Sequence, residues 1–253
     1  MRGDRLVLCY HAVSDRWPAA LAVSPRQLEE QVRQLARRGY TARTFSDTLA
    51  QGGGERSVAV TFDDAYRSVF EHAFPMLRQL GVPATVFVPT ALVNTGTPMS
   101  WPGIERWLQG PHASELVGMS WDELGQLRDA GWEIGSHTRS HARLTELDAD
   151  ALAGELAGSR ADCEQHLGSR CHSLAYPYGA LDERVVRAAH MAGYSAAGAP
   201  PSRLAVPRRL HWPRVGVYPR DDLRRFRIKV DPAVRRVQDS RMSGPLGRLI
   251  RRL

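Results

Sequence analysis

A chain of 253 residues, 43% hydrophobic and 24% charged, has ample apolar material for one sizeable folded body, and none of its apolar runs approaches the ~18 residues of a membrane span. The net charge of +7 is lopsided: residues 203 to 253 hold 15 Arg or Lys against 4 Asp, while the rest of the chain carries 19 basic and 23 acidic groups, so the basic character belongs to the C-terminal fifth. Three cysteines without CxxC spacing, Cys9, Cys163 and Cys171, argue against a disulfide framework or a zinc ribbon and read as buried thiols.

In chain order, "RLVLCY" (5–10) predicts a strand. It is too short for the apolar core of a signal peptide and lacks a small-residue cleavage pattern, so the expectation is a cytoplasmic protein. In "SPRQLEEQVRQLARRG" Ser24 caps a helix, Pro25 takes its first position, Gln27 completes a capping box and Gly39 ends it. "SVAVTF" (57–62) is a nearly continuous apolar run of the kind buried in a parallel sheet, followed by a helix to Gly81 and the strand "ATVFV" (84–88). Residues 91–118, rich in Gly, Pro and Trp, form a long connection. Ser120 to Glu123 is a second capping box, opening a helix to Gly131 before the strand "WEIG". A long helix over 148–167, the strand "HSLAYP" (172–177), a helix over 182–192, the strand "YSAAG" and a last strand "PRVGV" (213–217) complete the pattern.

Strands alternating with helices at this rhythm imply βα units and parallel pairing. The number of repeats predicts a closed or nearly closed barrel over residues 1–218, with a doubly wound open sheet as the alternative, and a basic C-terminal extension over 219–253. In such a barrel chemistry sits at the C-terminal ends of the strands. Three strands deliver polar residues there: "SVAVTF" ends in Asp63-Asp64, "WEIG" in Ser136-His137 with His141 four residues on, and "HSLAYP" in Pro177-Tyr178-Gly179. Successive residues of an extended segment point in different directions, so two adjacent carboxylates can face a metal and a water separately. One carboxylate and two imidazoles form a facial set with open positions, which accepts zinc, or iron, cobalt or nickel.

"VTFDDAY", "GSHTRSH" and "LAYPYG" occur in the order and rough spacing of the polysaccharide deacetylase family, the NodB-type carbohydrate esterase family four, and the chain resembles that family over roughly residues 5 to 217. "LCYHAVSD", "GVPATVFVPT" and "HMAGYSAA" add to the likeness. The resemblance implies a distorted (β/α)7 barrel, TIM-barrel-like, and one divalent metal ion, zinc first. It implies Asp63 as general base, Asp64, His137 and His141 as metal ligands, and the backbone N–H of Tyr178 as an oxyanion donor. The implied activity is metal-dependent removal of N-acetyl groups from a sugar of a polysaccharide, oligosaccharide or glycoconjugate. O-acetyl ester cleavage on a carbohydrate is the second enzymatic reading.

The chain departs from the family pattern in two places. Ala175 stands where many members carry the Arg that orients the base, and Arg214 is the candidate replacement. The Leu-x-His motif that supplies the acid is represented only by Leu210-His211, one residue short, which makes His211 the candidate acid. His11, after the first strand, is at the right end of the barrel for the pocket. Trp101, Trp107, Trp121 and Trp212 are candidates to stack on sugar rings, with Trp212 favoured by its neighbour His211. No nucleic acid is expected as partner. In the tail, Leu246, Leu249, Ile250 and Leu253 fall on one helical face flanked by arginines, a pattern suited to peripheral contact with an anionic membrane at the inner face. A non-enzymatic anionic-surface binder carrying a degenerate barrel is the remaining alternative.

Overall fold

The computed structural model describes residues 3–51, 54–201 and 208–239. Along the chain, β1 (Asp4–Tyr10), the two-residue strands β2 (Ala12–Val13) and β3 (Ala22–Val23), and α1 (Pro25–Arg37) lead to β4 (Thr41–Arg43), α2 (Phe45–Ala50) and β5 (Arg56–Phe62). Then come α3 (Phe74–Gln79), β6 (Thr85–Val88), α4 (Trp121–Asp129), β7 (Glu133–Ser136), α5 (Ala149–Leu167) and β8 (Ser173–Ala175). The chain continues through α6 (Glu183–Met191), β9 (Ala196–Ala199), β10 (Trp212–Pro213), β11 (Val215–Gly216), α7 (Leu223–Lys229) and α8 (Pro232–Asp239).

The main sheet runs β10-β9-β8-β7-β6-β5-β1-β11, with every pairing parallel. Only Arg214 separates β10 from β11. The stretch 212–216 therefore pairs with β9 on one side and with β1 on the other, and brings the two ends of the sheet together. The result is a distorted, nearly closed barrel of seven parallel staves, and the open doubly wound sheet is not what forms. β4 adds no stave, because it pairs only with the first part of β5, through Thr41↔Ser57 to Arg43↔Ala59, before β6 takes over from Thr61.

Strand alternation sorts the apolar residues into two layers. Leu6, Leu8 and Tyr10 of β1 and Val58, Val60 and Phe62 of β5 pack outward, against Leu28, Val32 and Leu35 of α1. Val7, Ala59, Phe87, Ala175 and Ala196 fill the interior, closed below by Phe45 and Leu49 of α2. The helix starts follow the predicted caps except at Gln27, whose side chain bonds the Tyr218 and Asp221 carbonyls and closes no capping box. Ser24 accepts from the Gln27 N–H at 3.0 Å, Ser120 and Glu123 form a reciprocal capping box, and α5 ends at Gly168 in the left-handed conformation (φ 61°).

The boundary drawn at residue 218 does not separate two packing units. Phe226 of α7 and Val230 belong to the same core as β1 and β5, and Asp221 is buried against α1. Charge changes at that point while packing continues. The amphipathic segment 246–253, read as a membrane-contacting helix, lies outside the described residues. Among the described residues no helix is long and apolar enough to cross a membrane.

Candidate metal and catalytic site

Two adjacent aspartates open the site at the end of β5. Asp63 and Asp64 are 4% and 2% exposed, so neither belongs to a solvated turn. After Asp63 the chain turns through left-handed backbone at Asp64 (φ 70°) and Ala65 (φ 53°), and the two carboxylates part. Asp63 faces the last stave. Arg214 grips it with two parallel bonds, Nη1 to Oδ1 at 2.6 Å and Nη2 to Oδ2 at 2.8 Å, and Nη1 also reaches Thr61 Oγ1 at 3.3 Å. The guanidinium crosses the barrel above Gly198, where a Cβ would meet Arg214 Cδ at 2.5 Å. Burial acts to raise the Asp63 pKa, but the Arg214 charge, aided by His137, outweighs it and holds the group at about 2. The Cys9 thiol donates to Asp63 Oδ2 at 3.3 Å.

Asp64 faces the turn after β7. Its Oδ1 lies 3.4 Å from His137 Nε2 and 3.3 Å from His141 Nε2. His137 Nδ1 is 2.8 Å from the Ala175 carbonyl. A carbonyl oxygen can only accept, so Nδ1 carries a proton, and in the neutral imidazole Nε2 then presents a lone pair toward Asp64. Asp64 Oδ1 is buried without a hydrogen-bond partner, and so is His141 Nδ1. These three groups converge with their ligand atoms all within 4.8 Å and do not satisfy one another, and they could hold a metal as the donor set of a three-ligand site. The charge balance agrees: two buried carboxylates face one buried guanidinium, and one negative charge is left for a cation to neutralise. Cys9, His11 and Asp63 form a second close group, but there the carboxylate is already occupied by Arg214.

The imidazoles are held from several directions. His141 stacks on Trp101 with centroids 4.2 Å apart and meets the edge of Tyr178 at 4.7 Å. Arg143 lies over the Tyr178 ring at 4.4 Å. Of the six non-glycine residues with positive φ among the described residues, Asp64, Ala65, Thr138, His141 and Tyr178 line or adjoin this site. Such backbone is retained where surrounding structure over-determines it, and it clusters at functional sites.

These groups sit at the floor of a cavity of ≈ 530 Å³ whose walls include His11, Trp101, Trp107, Tyr178, Arg214 and Tyr218. Asp63, Asp64, His137, His141, His11, Tyr178 and Arg214 are thus brought together, while His211 and Trp212 are not. Side chains of one stave alternate, so Trp212 shares the interior phase with Arg214 but lies one repeat lower. There it packs on the interior cluster, with Arg5 5.1 Å from its ring centroid at the start of β1. His211 takes the opposite phase, and its charged neighbours are Glu183 and Arg208. Trp121 stacks on His166 at 4.4 Å, away from the cavity. Cys9 and Tyr218 were missed. Cys9 was open to detection, because it shares its strand phase with Val7 and His11, whereas Tyr218 lies one residue past the last predicted strand and outside every motif.

A parallel α/β barrel with a three-donor metal set and a separately clamped carboxylate at its mouth defines a class of metal-assisted hydrolase-like barrels. Within that class the relationship is specific: residues 50–197 match the polysaccharide deacetylase family, and the chain belongs to it. It is 25% identical over 193 residues to YxkH of Bacillus subtilis, covering 74% of this chain and 61% of that protein. It is also 25% identical over 175 residues to a poly-beta-1,6-N-acetyl-D-glucosamine N-deacetylase of Staphylococcus aureus, covering 64% of this chain and 55% of that one. The chain thus spans about three fifths of the length of these curated relatives. Among solved structures, the Streptococcus pyogenes deacetylase PplD in complex with acetate superposes with a TM-score of 0.75 at 19% identity, covering 90% of this chain and 98% of that one. IcaB from Ammonifex degensii gives 0.68 at 25% identity, covering 85% and 92%.

Proposed function

We propose that this chain removes N-acetyl groups from an N-acetylated sugar of a glycan. The observation that carries the reading is the division of labour between neighbouring carboxylates, Asp63 clamped by Arg214 and Asp64 facing two imidazole lone pairs. The likeness to an N-deacetylase of poly-N-acetylglucosamine supports the substrate class. Asp64, His137 and His141 would hold one divalent ion, zinc or alternatively cobalt, nickel or iron, and it would supply Lewis acidity toward water and the acetamide carbonyl.

The remaining steps belong to the chain's own residues. Asp63 takes the proton of the attacking water, and with a pKa of about 2 it is ionised at any working pH. Arg214 keeps its oxygens in place. The Tyr178 N–H, carried on left-handed backbone (φ 57°), donates to the carbonyl oxygen as it gains charge, an effect worth about 3 kcal/mol in comparable sites. The C–N bond then breaks and the amine leaves with a proton. His211 is outside the cavity, so this role passes to His11, the imidazole of the cavity wall that is not in the metal set. Acetate and the free amino sugar are the products.

The test is to measure acetate and free amine released from N-acetylglucosamine oligomers and, in parallel, acetate from O-acetylated sugars. Equal molar amounts of amine and acetate support N-deacetylation. Acetate from the esters alone would move the activity to O-acetyl cleavage, and a metal-loaded protein that releases acetate from neither would refute the proposal.

A further inference from the structure

Beside Asp64, His137 and His141, a second group of ligand atoms converges in the same cavity. The Cys9 Sγ, a ring nitrogen of His11 and a carboxylate oxygen of Asp63 all lie within 4.8 Å of one another. β1 delivers the first two. Cys9 and His11 are two residues apart, so strand alternation turns both to one side, and both line the cavity wall. β5 delivers the third: Cys9 pairs with Thr61, and Asp63 lies two residues further along that neighbouring strand.

Arg214 does not exhaust the Asp63 carboxylate. An ionised carboxylate offers about four lone-pair positions. The guanidinium takes one on each oxygen, and a further one on Oδ2 accepts the Cys9 thiol at 3.3 Å. Burial, the largest influence on this thiol, pushes its pKa up, so sulfur keeps its proton until a cation displaces it. A tetrahedral zinc fits in that proton's place. Bonds of about 2.3 Å to sulfur and about 2.0–2.2 Å to oxygen, at angles of about 100–110°, hold the two atoms about 3.3–3.7 Å apart. The Cys9–Asp63 separation already has that span. On the third side, His11 Nδ1 is buried without a hydrogen-bond partner. Three protein donors leave a fourth position for water.

Sulfur separates the two sets. Asp64, His137 and His141 offer one oxygen and two nitrogens, which suit zinc, cobalt, nickel or iron; a thiolate selects thiophilic ions and disfavours magnesium, calcium and manganese. We propose that Cys9, His11 and Asp63 form a second, inhibitory site for a thiophilic divalent cation, zinc first. Binding exchanges a proton for a bond: the Cys9 S–H bond breaks, the proton leaves to solvent and the sulfur electron pair goes to the ion, with no change of oxidation state. The inhibition rests on the proposed deacetylase function. The ion takes the Asp63 carboxylate that receives the proton of water and the His11 imidazole that gives one to the amine. The Arg214 charge beside Asp63 opposes the ion, so this site fills after the first. One zinc activates and a second inhibits.

The experiment follows binding and rate separately. Cobalt(II) is titrated onto protein holding one equivalent of zinc, and a sulfur-to-cobalt charge-transfer band is read in the near ultraviolet. The first set contains no sulfur, so cobalt that exchanges into it gives no such band. The band is expected in the wild type and should be absent from Cys9→Ser. In His11→Ala it should need at least about tenfold more cobalt. Cys163 and Cys171 are the other two thiols, so a band that survives in Cys9→Ser belongs to them and overturns the site, as does a wild type without a band. In the rate arm, acetate release from N-acetylglucosamine oligomers is measured against zinc. It should rise with the first equivalent and fall with further zinc. In Cys9→Ser, relative to that variant's own maximum, the zinc concentration that halves the rate should be at least about tenfold higher. Equal inhibition of both proteins overturns the inhibitory role. If the band forms on Cys9 and no acetylated sugar, amide or ester, releases acetate at any zinc level, the site stands and the deacetylase reading falls.

Discussion

The turn bearing His137 and His141, the proposed metal ligands, depends on a carboxylate that bonds to neither imidazole. Glu155 of α5 accepts from the N–H groups of Arg139 at 2.8 Å and Ser140 at 3.0 Å through Oε2, and from the Ser140 hydroxyl at 2.7 Å through Oε1. Those two residues lie between His137 and His141 and are flanked by left-handed backbone at Thr138 (φ 66°) and His141 (φ 61°). Each such residue costs about 1–2 kcal/mol, so the turn is intrinsically strained by roughly 2–4 kcal/mol. Three bonds to a half-buried carboxylate, at about 1 kcal/mol each, offset most of that strain. The opposite side of the turn is held by Thr90 and Ala91, whose N–H groups donate to the carbonyls of Thr138 at 3.1 Å and Arg139 at 2.9 Å, so it should not collapse entirely. Glu155→Ala should therefore leave the barrel folded and release the turn by about 2 kcal/mol, which is roughly a thirtyfold weaker metal Kd. Glu155→Gln keeps two acceptor positions but no charge, and should lose about three- to tenfold. The assay is competition against a chelator of known affinity, with kcat measured at saturating metal. Unchanged metal affinity in Glu155→Ala, or a large fall in kcat at saturating metal with Kd intact, would refute the reasoning.

The other substitutions separate roles within the cavity. Asp63→Asn should retain the metal and lose activity by about a thousandfold or more, whereas Asp64→Asn should lose metal first; metal content measured beside kcat decides. Arg214→Met removes the charge that holds Asp63 at about 2, so burial alone would raise that pKa and the acid limb of kcat/KM should move to higher pH. In the wild type, the stability linked to Asp63 is present above its unfolded value of about 3.9 and lost as pH falls toward 2; in Arg214→Met it changes sign, which acid titration of folding would detect. His11→Ala should slow amide substrates far more than activated esters, whose leaving groups need no proton, while His211→Ala should affect neither. Because the role assigned to Tyr178 is its backbone N–H, Tyr178→Ala should keep kcat on a small ester within about tenfold, whereas loss of a donor bond proper would cost about a hundredfold or more.

Parallel staves buried on both faces announce themselves as apolar runs, which is why the strands at 57–62, 84–88 and 172–177 could be read. β4 and α2 are too short for any periodicity to register, with 3 and 6 residues. The convergence of Asp63, Asp64, His137 and His141 was legible because parallel strands deliver their C-terminal residues to one end whatever their order in the sheet. The errors at His211 and Trp212 have a different origin. Which residues of 208–216 face the cavity depends on the register of the last stave, set by pairs such as Trp212↔Gly198 and Leu8↔Val215 at great sequence separation. Across residue 218 charge is no guide to packing. α7 carries Arg224, Arg225, Arg227 and Lys229, yet Phe226 is fully buried between them.

The distribution of strain connects the fold to the site. Left-handed non-glycine backbone would be expected to drift toward glycine if nothing but turn geometry were required. At five positions around this cavity it has not, and at three of them the side chain is one the site uses: the Asp64 carboxylate, the His141 imidazole and the Tyr178 ring that packs on it. Glycine would relieve the backbone and delete the group. Each site turn is instead held from outside. Glu155 holds the turn bearing His141, and the Met119 N–H donates to the Ala65 carbonyl at 2.9 Å. At Tyr178 the fit is steric, since a Cβ on Gly179 would meet Pro200 Cδ at 2.7 Å. The restraints come from α5, from Met119 just before α4 and from the segment after β9, each a different part of the chain. A destabilising change in any of them should therefore loosen the geometry of the site before it unfolds the barrel, because the strained turns are the first structure to relax when their supports weaken.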